Sequence, residues 1–314
     1  MLAAVTLILT LCKDTRQSQD SKSTHDGIDR TVVLLRFRKK VPELIKITRA
    51  LLHGAYSAEH DVGGQHDPFL QVKLLKLLGV LGEGCPETSD QISDTLANVA
   101  ANVSVGKNAG NAVLYEAVRT IVKCDSVGGL RVLAVNVLGR FLQDKDNNVR
   151  YVALNALAKV VVHDALAVQR HRRTIVECVK DSDITIRRSA LQLVYSLVNH
   201  GNVEVLLGEL LEYLRVADVE FKADVAKRVA GLISTFAPSD TWRVDSFIDL
   251  LVKGGSYVAN EECRSFLSLL SNKQSLQGYA ARCLFKRACD PKHANHFQVR
   301  MSRLSQIWTP TFYL

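Results

Sequence analysis

Two pairs of carboxylates stand 37 residues apart in register, Asp144 with Asp146 and Asp181 with Asp183. Paired carboxylates can divide general-acid and general-base work between them. Here each pair directly precedes an apolar block of helical period. A short side-chain oxygen in that place satisfies the orphan N–H groups of a helix start, so capping is the expected role. His60-Asp61 and His66-Asp67 put metal-compatible ligands into one loop, and Cys283, Cys289, His293 and His296 are zinc-compatible types. The latter spacing, C-x5-C-x3-H-x2-H, departs from the frames of structural zinc sites. Cys178 with His163 or His171 would make a nucleophile and its base. Cys178 falls on the apolar side of its block, where a core thiol is expected. No Walker A loop, G-x-S-x-G or H-E-x-x-H occurs, and no G-x-G-x-x-G follows a strand. The sequence therefore assigns no catalytic residue, no metal site and no cofactor.

The densest positive cluster is Arg170, His171, Arg172 and Arg173, joined by Arg187 and Arg188 from the next block. One expectation is a solvated face, with Arg150 and Arg187 bonding Asp residues of adjacent repeats. The other is contact with acidic lipid or an acidic partner through Arg170, His171, Arg172, Arg173 and Arg188. Near an anionic membrane each such cation contributes on the order of 1 kcal/mol. No aromatics interleave the cluster, which argues against nucleic acid.

The elements that must position these residues repeat. Val149, Val152, Ala153, Ala156, Leu157, Val160 and Val161 follow helical steps, and Ile186, Ser189, Ala190, Leu193, Val194, Leu197 and Val198 follow the same steps 37 residues on. A helix with so broad an apolar stripe cannot bury it alone and must stack on a neighbour like itself. The pattern predicts an all-α fold, a right-handed α-solenoid of HEAT/armadillo-like helical repeats. Helices are expected near 41–53, 68–82, 88–104, 109–124, 129–143, 147–163, 166–180, 184–199, 202–215, 219–236, 241–253, 261–272 and 276–289. Asp67-Pro68 supplies an N-cap and a proline at the first helical position. In the block at 219–236, Asp224 and Arg228 intrude on stripe positions, as a contact surface or as drift. The loop 54–67 is the longest break inside the array, long enough for a function or a compact excursion.

Composition sets the limits. The chain has 314 residues, 47% hydrophobic and 6% aromatic, with a formal charge of +8. The mild positive excess suits acidic partners or serves solubility. Seven scattered cysteines fit reduced core thiols in a cytosolic protein. The apolar opening, residues 1–12, falls short of the ~20 residues a spanning helix needs. Residues 1–34 are expected to be a poorly ordered lead segment, 35–290 the solenoid, and 291–314 a tail outside it.

Several runs resemble one family. They include Tyr56-Ser57-Ala58-Glu59-His60-Asp61-Val62, Asp67-Pro68-Phe69-Leu70-Gln71-Val72, Asn148-Val149-Arg150-Tyr151-Val152-Ala153-Leu154, and Glu220-Phe221-Lys222-Ala223-Asp224. With the runs 106–116, 129–142, 167–176 and 255–258, they look like the middle of the trunk of the gamma-adaptins, large subunits of the type 1 clathrin adaptor complex. The resemblance covers roughly residues 35–289. It implies a non-enzymatic subunit of a vesicle coat, holding beta, medium and small adaptor subunits on a helical-repeat scaffold. It also implies a cytoplasmic protein, peripheral on trans-Golgi network and clathrin-coated vesicle membranes. The family pattern keeps His60, Asp61 and Asp67 but not His66, which argues against a metal in that loop. In the family, segments before and after this stretch carry the surfaces for the Arf-family GTPase, clathrin and ear ligands, so those partners are not expected of this polypeptide. A second expectation from repeat physics alone is another solenoid carrier, such as a nuclear-transport receptor.

Overall fold

The computed structural model describes residues 1–14, 30–54, 58–103, 107–124 and 128–288. They form sixteen α-helices: α1 (Leu2–Asp14), α2 (Arg30–Arg38), α3 (Val41–Leu52), α4 (Pro68–Gly82), α5 (Pro86–Asn102), α6 (Asn108–Lys123), α7 (Gly128–Phe141), α8 (Asn147–Val160), α9 (Ala165–Gln169), α10 (Arg172–Cys178), α11 (Ile184–Leu197), α12 (Val203–Val216), α13 (Val219–Phe236), α14 (Asp240–Gly254), α15 (Asn260–Asn272) and α16 (Gln274–Ala288). Two compact units divide the chain, Met1–Leu193 and Val194–Leu314.

In the first unit the rods pack in series. Helix α4 lies against α1, α3, α5 and α6; α6 lies against α7 and α8; α7 lies against α8 and α9. From α3 to α7 each helix packs on the next and on the next but one, as in an all-α repeat array. Helix α4 sits deepest, with Leu74, Leu75, Leu77, Leu78 and Leu81 fully buried, as a helix apolar on every side must be. The predicted stripe of α8 is inside: Ala153, Ala156, Leu157 and Val160 are buried. In the second unit α12, α13 and α14 pack mutually, and α16 packs on α14 and α15.

The lead segment departs from expectation. Residues 2–14 form α1, which packs on α4 with Val5, Leu9 and Cys12 buried. Their i, i+4, i+7 spacing gives a one-sided stripe that the uniformly apolar run concealed. Helix α2 is fastened to the end of α4. Arg38 donates from Nε to the Leu81 carbonyl at 2.9 Å and from Nη2 to the Glu83 carbonyl at 3.1 Å. A cation there satisfies carbonyls that lack helical partners and suits the negative helix end. The expected tail, 291–314, lies outside the described residues.

The expected helix 166–180 is broken in two. Helix α9 stops at Gln169, α10 begins at Arg172, and His171 stands between them. The cause is tertiary: the His171 ring lies so close to Gly139 of α7 that a Cβ there would come within 2.3 Å of it. In α13 the stripe runs through Phe221, Val225, Ala226, Val229, Ala230 and Ile233. Asp224 and Arg228 point outward as an exposed ion pair at 3.6 Å, and Arg228 also lies over the Tyr195 ring, 5.5 Å from its centroid. The irregularity is therefore a shift of register.

The loop before α4 is a compact excursion. Val62 and Gln65 exchange two backbone hydrogen bonds of 3.0 Å. Gly63 and Gly64 turn between them at φ 60° and 82°, the left-handed pair that a two-residue hairpin turn demands. Asp67 then accepts from the Leu70 N–H at 3.1 Å, capping α4 ahead of Pro68.

Candidate interaction surface

The Asp-x-Asp pairs cap helices and tie repeats together. Asp146 accepts from the Asn148 N–H at 2.8 Å, and Asp183 accepts from the Thr185 N–H at 2.7 Å. Asp144 and Asp181 each accept from the backbone N–H two residues on, at 3.0 and 2.9 Å. The opposite edges of these carboxylates receive the preceding repeat. Asn111 donates to Asp144 at 3.4 Å, Asn147 donates to Asp183 at 3.1 Å, and Arg150 pairs with Asp181 at 3.0 Å. Hydrogen bonds to Thr185 hold the Asp183 carboxyl below the usual range. Carboxylates whose oxygens already accept from backbone N–H groups and neighbouring side chains hold the repeat junctions, and their arrangement is structural.

Arg150 thus meets the next repeat as expected from its spacing. Arg187 donates to the carbonyls of Asp181 and Ser182, at 2.8 and 2.9 Å, which fastens the turn before α11. The asparagines of this ladder escaped the sequence reading. Asn111 and Asn147 stand 36 residues apart, one short of the 37-residue step, so the repeat does not bring them into register.

The basic cluster divides by environment. Arg170 is exposed beside the break between α9 and α10, and Arg172 is half-buried. Arg173 is almost wholly exposed and lies 3.7 Å from Glu177. Arg188 is exposed on α11. His171 turns inward, its Nε2–H donating to Asn136 Oδ1 at 3.2 Å. Burial, with Arg170 nearby, holds its imidazole below the ordinary histidine range, so it is neutral near pH 7. His171 is a packing residue, and the outward charge comes from the arginines.

The other candidates are also placed. His66 Nδ1 lies 2.8 Å from Asp61 Oδ2, and Gln71 donates to the His66 carbonyl at 2.6 Å, which fixes the hairpin. Among the described residues no group of three or more His, Cys, Asp or Glu side chains could hold a metal. Cys289, His293 and His296 lie outside the described residues. Cys178 is buried, and burial pushes its thiol up to about 11, so it is no thiolate nucleophile at neutral pH. Among the described residues no helix is long and apolar enough to cross a membrane.

Comparison with known proteins agrees with this arrangement. The adaptin N-terminal region family matches residues 3–308. The AP-1 complex subunit gamma of Dictyostelium discoideum is 43% identical over 285 residues, which are 91% of this chain and 30% of that protein. The AP-1 complex subunit gamma-2 of Arabidopsis thaliana is 47% identical over 273 residues, 87% of this chain and 31% of that protein. The human AP-1 complex subunit gamma-like 2 is 41% identical over 286 residues, 91% of this chain and 34% of that protein. The chain thus spans about a third of the length of these relatives. With serially packed helices, repeats joined edge to edge by Asn–Asp and Arg–Asp contacts, and a family match across nearly its whole length, the chain belongs to the adaptin family.

Proposed function

We propose that the chain is a non-enzymatic scaffold segment of a clathrin-associated adaptor complex, acting in vesicle-mediated intracellular protein transport. Identity of 41–47% to gamma subunits of AP-1 complexes carries this reading. The mechanism is shape: a run of rods that cover one another in series is stiff and offers an extended surface to partners. Those partners are the beta, medium and small adaptor subunits. The setting is the cytoplasmic face of trans-Golgi network and clathrin-coated vesicle membranes, with the chain peripheral to the bilayer.

Arg170, Arg172, Arg173 and Arg188 form the acidic-partner or lipid contact of this scaffold. His171 serves it from within, by fixing the turn on which the first three arginines stand. The exposure of Arg170, Arg173 and Arg188 supports this division.

Co-expression with the beta, medium and small subunits of a type 1 adaptor tests the scaffold reading. Recovery of the chain in stoichiometric complex is expected. Recovery with none of them, together with binding to a GTPase of the nuclear cycle, would replace it with the transport-receptor reading. For the arginines, sedimentation with vesicles containing an anionic phospholipid should fall when Arg170, Arg172, Arg173 and Arg188 are changed together to Gln. Unchanged sedimentation, and unchanged recovery of the adaptor subunits, would remove both forms of the contact.

A further inference from the structure

In the first unit α6 lies between α4 and α8 and packs on both. These three helices are rich in cations and almost free of acid. Lys73 and Lys76 lie one turn apart on α4, and Arg119 and Lys123 one turn apart on α6. Helix α8 adds Lys159, its Arg150 being paired with Asp181. Glu116 is the only acidic residue in the three sequences. Tyr115, Arg119 and Lys123 follow one another at steps of four along α6, and Tyr151, Asn155 and Lys159 do so along α8. All six are half-buried or exposed, so each set forms the outward ridge of its helix.

Glu116 is buried and shared between two helices. Its Oε2 accepts from Arg119 Nη1 at 3.2 Å and lies 3.9 Å from Lys76 Nζ of α4. One carboxylate cannot neutralise two cations, so the junction of α4 and α6 keeps a positive charge. The side chains of Lys76 and Arg119 are 31% and 38% exposed, so that charge is recessed yet open to solvent. A second carboxylate arriving from outside would complete an alternating set of two cations and two anions. Hydrogen bonds between ionised groups are strongest in such partly desolvated places.

The charge of this face calls for an anionic occupant, and its shape narrows the choice. At about 9 Å between packed axes, α4 to α8 spans about 18 Å, the length of about five or six extended residues. A bilayer presents its headgroups in a plane and meets protruding cations, not recessed ones. A single-stranded nucleic acid needs open aromatic faces for successive bases. Here one face of Tyr115 carries the Arg119 guanidinium, 5.9 Å from the ring centroid, and Tyr151 stands a helix away. An acidic polypeptide meets the requirement. One carboxylate side chain reaches in to Lys76 and Arg119, and its neighbours in sequence meet the lysines on either side. We propose that the outward face of α4, α6 and α8 binds an extended acidic segment of a partner polypeptide, with one carboxylate seated on Lys76 and Arg119.

The test is fluorescence anisotropy of the full chain, at low ionic strength, with fluorescein-labelled hexaglutamate. No adaptor subunit is present, so its failure is distinct from failure of the scaffold reading. Saturable binding is expected, about tenfold or more tighter than that of labelled hexaglutamine. Changing Lys73, Lys123 and Lys159 together to Gln spares the Glu116 contacts. It should weaken binding about tenfold and leave the circular dichroism spectrum unchanged. Glu116→Gln releases both central cations and should tighten binding severalfold. No saturation, or an affinity that Glu116→Gln leaves unchanged, would overturn the proposal. So would a larger loss on changing Arg170, Arg172, Arg173 and Arg188 to Gln than on changing the three lysines, since the peptide would then lie on the arginines. Loss of dodecauridylate binding, or of sedimentation with anionic vesicles, in a lysine variant that still binds hexaglutamate would assign the face to a nucleic acid or a bilayer and overturn it equally.

Discussion

Gly139→Ala has an effect whose sign depends on one other residue. In an isolated helix, Ala is favoured over Gly by about 1 kcal/mol, and position 139 is inside α7. The added methyl would stand 2.3 Å from His171 Cε1 and 2.4 Å from Nδ1, so the imidazole must leave its seat. Leaving forfeits the Asn136 hydrogen bond, about 1 kcal/mol, and the apolar contact of a half-buried ring, about another 1 kcal/mol. Gly139→Ala should therefore destabilise the chain by about 1 kcal/mol net when His171 is present. With His171→Ala already in place, the same substitution should stabilise it by about 1 kcal/mol, a coupling near 2 kcal/mol. Urea unfolding of the four proteins of this cycle, followed by circular dichroism, measures it. Equal effects of Gly139→Ala in both backgrounds would refute the claim that His171 seated on Gly139 breaks the helix.

Four further outcomes follow from particular contacts. Ala153 is fully buried in α8, so Ala153→Asp should cost several kcal/mol by burying an unpaired carboxylate, and an unchanged thermal melt would contradict the face assigned to that helix. Arg150→Ala leaves Asp181, whose side chain is 9% exposed, without its cation. That should cost about 1–3 kcal/mol in chemical denaturation, and a second change, Asp181→Asn, should recover part of it. Because the folded state holds His171 below its ordinary value, the unfolded chain binds the proton more readily. Its contribution is full above about pH 6.5 and falls as the pH drops through that value, so His171→Gln should flatten stability between pH 7 and pH 5. The Asp183 carboxyl is shifted the same way by its hydrogen bonds. Its contribution is present above the ordinary aspartate range and is lost as pH falls through its lowered value, a loss that Asp183→Asn should remove from an acid titration.

Much of the array was legible because its signals are local. Asp67-Pro68 marks the start of α4, and the expected span 68–82 is the observed one. The spans 219–236 and 261–272 are matched to within a residue. What escaped was tertiary. The stripe Ala167, Val168, Ile175 and Cys178 continues across the break at 170–171, so periodicity alone cannot show that His171 turns into α7. In α1 the unbroken apolar run hid which face would be covered. Of the two arginines in register, Arg150 pairs with the Asp181 carboxylate, and Arg187 donates to the Asp181 and Ser182 carbonyls, contacts that helical period alone does not specify. Spacing fixes where a side chain starts, and the carbonyls and carboxylates nearby decide where it ends. The sharing of Glu116 by Lys76 and Arg119 could not be read from sequence at all, since only the packing of α4 on α6 brings the two cations together.

The central claim is that stability passes from each helix to its immediate neighbours. Native-state hydrogen exchange of Leu157→Ala tests it most directly, because Leu157 is fully buried in α8 and its truncation should cost about 2–5 kcal/mol. In a serial array, protection should fall most in α7, α8 and α9 and stay near its original level in α14 and α16. A uniform loss of protection from α1 to α16 would reveal one undivided core and contradict the account.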